Sequence, residues 1–126
     1  GDVYKRQDYM FAAPINIFSL AYPETTSNWS NRFQMFRTQN MWTFILLDSY
    51  NGRLWQVQYS TQDLDNLFCI PINKYELVSD NEKCIFSIQP LTSMYQYYLI
   101  NDNTGDMWKF QWSTKGDDYR WIEKFK

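Results

Sequence analysis

One stretch of this chain is written twice. Residues 41–61, MWTFILLDSYNGRLWQVQYST, return as residues 94–114, MYQYYLINDNTGDMWKFQWST, at a shift of 53 positions. The copies share Met41/Met94, Leu46/Leu99, Gly52/Gly105, Trp55/Trp108, Gln58/Gln111, Ser60/Ser113 and Thr61/Thr114, and ring replaces ring at Trp42/Tyr95, Phe44/Tyr97 and Tyr59/Trp112. The doubling limits the fold severely: whatever one copy forms the other must form too, and the two must find a way to pack.

Each copy reads as a β-hairpin. Thr43, Phe44 and Ile45, like Tyr97, Tyr98 and Ile100, are β-branched or aromatic residues that suit a pleated surface. In the second arm Trp55, Val57 and Tyr59 alternate with Gln56, Gln58 and Ser60, and Trp108, Phe110 and Trp112 with Lys109, Gln111 and Ser113. Period two with one apolar face predicts a half-buried strand, so the aromatic set is expected in the core and the glutamines in water. Between the arms, Asp48 or Asn101 opens a turn that Gly52 or Gly105 closes with positive φ, as in a type I turn with a G1 bulge.

The repeat extends beyond the hairpins. Asp8, Phe11, Pro14, Ile15 and Asn16 overlay Asp65, Phe68, Pro71, Ile72 and Asn73, and Asp118, Trp121 and Phe125 continue the series. The expected organisation is a remnant of a preceding unit at 8–20, repeat 1 at 32–72 and repeat 2 at 85–125, within one structural domain. Four strands are expected per unit: near 32–37 and 84–89, then the two hairpin arms, then 67–72 and 119–125. Pro71 and Pro90 belong at an edge, a strand end or a bulge. The linkers at 21–31 and 73–83 are polar, and no stretch has helical periodicity. The expected fold is all-β: two tandem four-stranded antiparallel meanders packed as a two-sheet or barrel-like body. The alternative is a fragment of a β-propeller or longer array, since the first hairpin arm is apolar on both faces, Phe44 and Leu46 against Ile45 and Leu47.

The spacing of Asp48, Gly52 and Trp55, Asp-x-x-x-Gly-x-x-Trp, resembles the repeats of quinoprotein-type propellers. Those repeats place one more residue between Gly and Trp, and the second copy has Asn101 in place of the aspartate. The resemblance covers about eight residues per unit and implies four-stranded blades.

At the amino end, Asp2-Val-Tyr-Lys-Arg-Gln7 looks like the in-frame translation of a transposon-end adapter used to prepare sequencing libraries. Residues 1–7 are therefore expected to be an artefact, the chain a fragment of a longer gene product, and the localisation open, with secreted or surface-attached settings both compatible.

The 126 residues are 20% aromatic with a formal net charge of −2, which disfavours nucleic acid as a partner because no basic patch is available to meet phosphates. No apolar run approaches the roughly 18 residues of a membrane-spanning helix. The absence of His removes Ser–His and Cys–His nucleophile pairs and His-containing zinc sites. Cys69 and Cys84 could close a disulfide, but two separate buried thiols are the favoured expectation. Asp48, Asp102, Asp106, Asp117 and Asp118 cluster at turns, where turn chemistry accounts for them without calcium or a catalytic acid pair. No enzyme activity, metal or cofactor is expected. Aromatic residues not assigned to the core, Trp29, Trp42, Tyr50, Tyr95 and Trp121, are the candidate binding residues. Asn28-Trp29-Ser30 also forms a glycosylation sequon. The favoured reading is a non-catalytic β-repeat module for protein–protein or surface interaction. The alternative is a glycan or small-ligand binder with aromatic platforms.

Overall fold

The computed structural model describes residues 14–15, 31–62, 65, 67–79 and 83–126. The expected artefact at 1–7, most of the remnant at 8–20, Trp29 and its sequon lie outside the described residues. The chain is all-β. The first sheet has the order β1 (Pro14–Ile15), β2 (Phe33–Arg37), β3 (Thr43–Asp48), β4 (Arg53–Gln58) and β5 (Phe68–Pro71). The second has the order β6 (Phe86–Pro90), β7 (Gln96–Asn101), β8 (Met107–Gln111) and β9 (Trp121–Lys124). Every pairing is antiparallel and the sheets do not close into a barrel, so the architecture is a two-sheet body.

Strand register recurs at the sequence shift of 53. Phe33 faces Asp48 as Phe86 faces Asn101; Leu46 faces Trp55 as Leu99 faces Trp108; Trp55 faces Pro71 as Trp108 faces Lys124. One strand breaks the correspondence: β1 adds to the free edge of β2, and no strand lies beside β6 in that way among the described residues.

The last strand of each unit is shorter than expected. β5 spans Phe68–Pro71, and β9 starts at Trp121 because Gly116, at φ 134°, admits a single 3-10 turn over Asp117–Tyr119. Pro71 and Pro90 are the final residues of β5 and β6, edge strands where a missing N–H breaks no interior ladder.

The hairpin loops follow the turn chemistry, in a four-residue form. Asp48 pairs directly with Arg53, and the amide of Gly52 donates to Asp48 O at 2.9 Å, as that of Gly105 donates to Asn101 O at 2.7 Å. The side chains of Asp48 and Asn101 accept from the backbone of Tyr50 and Asn103, and both glycines hold positive φ, 83° and 80°. Asn73 ties the inter-unit linker to this turn, accepting from Leu54 N and donating to Gly52 O.

The two sheets bury different faces. In the first sheet the buried set is Phe36, Ile45, Leu47, Leu54 and Gln56, which register places on one side. In the second it is Phe86, Ile88, Tyr97, Leu99, Trp108 and Phe110, joined by Trp112. The counterparts of that second set in the first sheet are Phe33, Met35, Phe44, Leu46, Trp55 and Val57, on the opposite side from Ile45 and Gln56. The sheets therefore stack the same way up, back of one on front of the next, rather than front to front.

This arrangement corrects the expectation for β4. Trp108 and Trp112 are buried as expected, but Trp55 and Tyr59 are half-buried on the outward face, and Gln56 is fully buried. Alternation reports that a strand's two faces differ; it does not say which one meets the neighbouring sheet. β3 is apolar on both faces, and only Ile45 and Leu47 are sealed by the second sheet.

A β-carbon at Gly52 would lie 2.9 Å from Leu77 Cδ1 and 3.0 Å from Phe86 Cζ, whereas one at Gly105 would meet nothing within 4 Å. Gly52→Ala should therefore combine φ strain with overpacking and destabilise by about 3 kcal/mol, against about 1 kcal/mol for Gly105→Ala. Paired urea unfolding of the two variants measures the difference. A second expectation concerns Tyr97, whose phenol burial pushes well above its ordinary 10.0, the neighbouring Trp112 indole acting more weakly in the other direction. As pH rises past that ordinary value the unfolded chain loses this proton first, so stability falls. Unfolding midpoints followed into alkali should show that loss, and Tyr97→Phe should remove its share.

Candidate functional site

The joint between the sheets is built on one buried amide. Gln56 Nε2 donates to Ser113 O at 2.9 Å, and Gln56 Oε1 accepts from Ser113 N at 3.1 Å. The side chain thus pairs with the backbone of the neighbouring sheet's chain as another strand would. Gln56 Oε1 also accepts from Arg120 Nε at 2.8 Å, and Arg120 Nη2 donates to Ser113 O at 3.2 Å. The Arg120 side chain is 8% exposed and its charge is met by Asp117 at 2.7 Å, itself 83% exposed. A buried polar group with its hydrogen bonds made is tolerated; the same group without them costs several kcal/mol.

Sequence reasoning placed Gln56 in water and missed this joint. Polarity and spacing carry no signal for it, because its counterpart at +53, Lys109, occupies the same strand position and meets no comparable backbone partner among the described residues. At the other end of the stack Gly52 lies against Phe86.

The aromatic candidates do not converge. Trp42 is 37% exposed and meets Tyr59 edge-on at 5.1 Å; Tyr95 is 39% exposed and leans on Trp112 at 4.7 Å. These two stand at equivalent turns, just before β3 and β7, at the same end of their sheets. Tyr50 is half-buried in the turn at the opposite end, with the Arg32 guanidinium 4.8 Å from its ring centre. Trp121 is half-buried on β9, where with Lys109, Glu123, Lys124 and Phe125 it lines a shallow depression of about 280 Å³. Trp29 lies outside the described residues.

The carboxylates are occupied locally. Asp48 is buried and accepts from Arg32 Nε and Nη2, both at 2.9 Å; Asp102 accepts from Ser87 Oγ at 2.9 Å; Asp106 accepts from Thr104 Oγ1 and lies 3.6 Å from Lys124 Nζ. Among the described residues no group of three or more Cys, Asp or Glu side chains is arranged to hold a metal ion. Cys69 and Cys84 are free, as favoured, but exposed rather than buried: Cys69 sits on the edge strand β5 and Cys84 in the approach to β6. Among the described residues no helix is long and apolar enough to cross a membrane.

No protein family, no curated protein and no solved structure matches this chain.

Replacing Gln56 with Leu keeps the volume and removes every partner of Ser113 N and Arg120 Nε at the joint. It should destabilise by about 3 kcal/mol, while Lys109→Leu at the equivalent strand position should stay within about 0.5 kcal/mol. Chemical denaturation of both variants tests the contrast.

Proposed function

We propose that the chain is a non-catalytic β-repeat module, two tandem copies of one four-stranded meander, that serves protein–protein or surface interaction. The duplication is supported by the register, the capped glycine turns and the ring pairs that recur at 53 residues. The same-way-up stack of sheets supports reading it as part of a propeller or longer array, where successive blades follow one another in that sense.

The observation that carries the interaction reading is the pair Trp42 and Tyr95. Both units raise an exposed ring at the same turn and prop it on a second ring behind, with Met41, 58% exposed, beside the first. Rigid amphipathic rings on fixed turns lose little conformational freedom on contact, which suits protein recognition. A glycan binder calls for several rings in one groove; Tyr50 stands at the opposite end of its sheet and Trp121, though at the Tyr95 end, is two strands away on β9, which favours a protein partner.

A photo-crosslinking residue at position 41 of the full chain, irradiated in an extract of the source cells, should give a protein adduct of defined mass. The double change Trp42→Ala/Tyr95→Ala should reduce its yield by about tenfold or more. Ring-dependent retention of the chain on a glycan panel, with no protein adduct, would overturn the reading in favour of a carbohydrate binder.

A further inference from the structure

We propose that the outward face of the first sheet is the docking face for another four-stranded unit of this kind, which presents to it the side that here carries Phe36, Ile45, Leu47, Leu54 and Gln56. The proposal deepens the interaction reading and rests on its tandem-unit part.

The existing joint is the template. It is heterologous: the back of the first sheet lies on the front of the second, so the contact does not use itself up by symmetry and, among the described residues, leaves one front and one back without a sheet against it. The unused front belongs to the first sheet, and it keeps the character of a mating surface. Phe33, Met35, Phe44, Leu46, Trp55 and Val57 stand at the positions whose counterparts in the second sheet are buried under a neighbour. All are apolar, yet Phe33 is 44% exposed and the other five are half-buried. On the same face Arg53 stacks over Trp55 at 4.9 Å, and its Nε is buried without a hydrogen-bond partner.

The unused back, on the second sheet, has changed in the opposite direction. Where the back of the first sheet has Phe36, Ile45, Leu47, Leu54, Gln56 and Ile70, that of the second has Gln89, Tyr98, Ile100, Met107, Lys109 and Glu123: three positions turn polar or charged, three keep a half-buried apolar or aromatic residue. End units of a stacked array carry a polar outer face, and interior faces stay apolar. One end of this body is polar or charged at half of these positions, and the other is apolar at all six of its own. The difference selects the occupant: a unit whose back resembles the first sheet's, aliphatic with one amide, rather than the charged back of a second copy's terminal sheet.

The test adds one unit to the whole chain. Residues 32–84 are duplicated in frame ahead of Arg32, which preserves the 53-residue spacing; both native cysteines become Ser in every copy, and Val57→Cys in the original first unit supplies a single thiol on the face in question. In the two-unit chain this thiol should react readily with a disulfide reagent, and in the three-unit chain about tenfold or more slowly. Gln56→Lys in the added unit alone should return most of the lost reactivity. An unchanged labelling rate, whether the added unit folds or stays unfolded, would overturn the proposal. So would a two-unit chain that sediments as a dimer with the thiol already protected, since a second copy would then be the occupant. Crosslinking at position 41 reads the far turn and is independent of this face, so failure here with capture intact there would leave the interaction reading standing.

Discussion

Two layers of β-sheet are held in one relative position by a side chain that behaves like backbone. The amide of Gln56 offers Ser113 one donor and one acceptor, the pattern of an antiparallel bridge, and Arg120 closes the remaining lone pair. Hydrophobic burial between flat sheets is non-directional and would permit the layers to slide or rotate. A fully buried amide permits far less, because any shift strands Ser113 N, Arg120 Nε or the amide itself in a site without water. The aliphatic back of the first sheet and the ring-rich front of the second supply the attraction; the amide sets where they meet.

The aromatic content acquires its meaning from that stack. Trp108, Phe110 and Trp112 fill the space between layers together with Tyr97, and ring pairs such as Tyr97–Phe110 at 5.4 Å and Phe86–Trp108 at 5.8 Å lie within the range where aromatic contacts add to simple burial. The indole of Trp112 is buried with its N–H donated to Met94 O at 3.0 Å, so a large side chain enters the core without an unmet donor.

Much of this was legible in the sequence, for reasons that are local. Strand period, the Asp or Asn that opens each hairpin loop and the glycine that ends it are dictated by neighbours a few residues away, and the copies agree on all of them. Inter-sheet relations are set by residues far apart in the chain, and there the reading went astray. Trp55 was expected inside because it is an indole on an alternating strand, and Gln56 outside because it is an amide; the neighbouring sheet reversed both. The candidate rings were chosen by composition, and among the described ones only Trp42 and Tyr95 occupy equivalent turns; Trp121 shares that end of the second sheet but stands on β9, and Tyr50 lies at the other end. The cysteines followed the general tendency of thiols to be buried, which an edge strand and a linker do not satisfy.

The prolines that end β5 and β6 carry a consequence for how such a body can enlarge. Each sits on a rim of its sheet and supplies no N–H there, so a foreign strand arriving alongside finds the hydrogen-bonding ladder cut short. Lateral extension, the usual route from β-structure to fibrils, is discouraged at those two margins. Thickening, layer upon layer, meets no such obstacle.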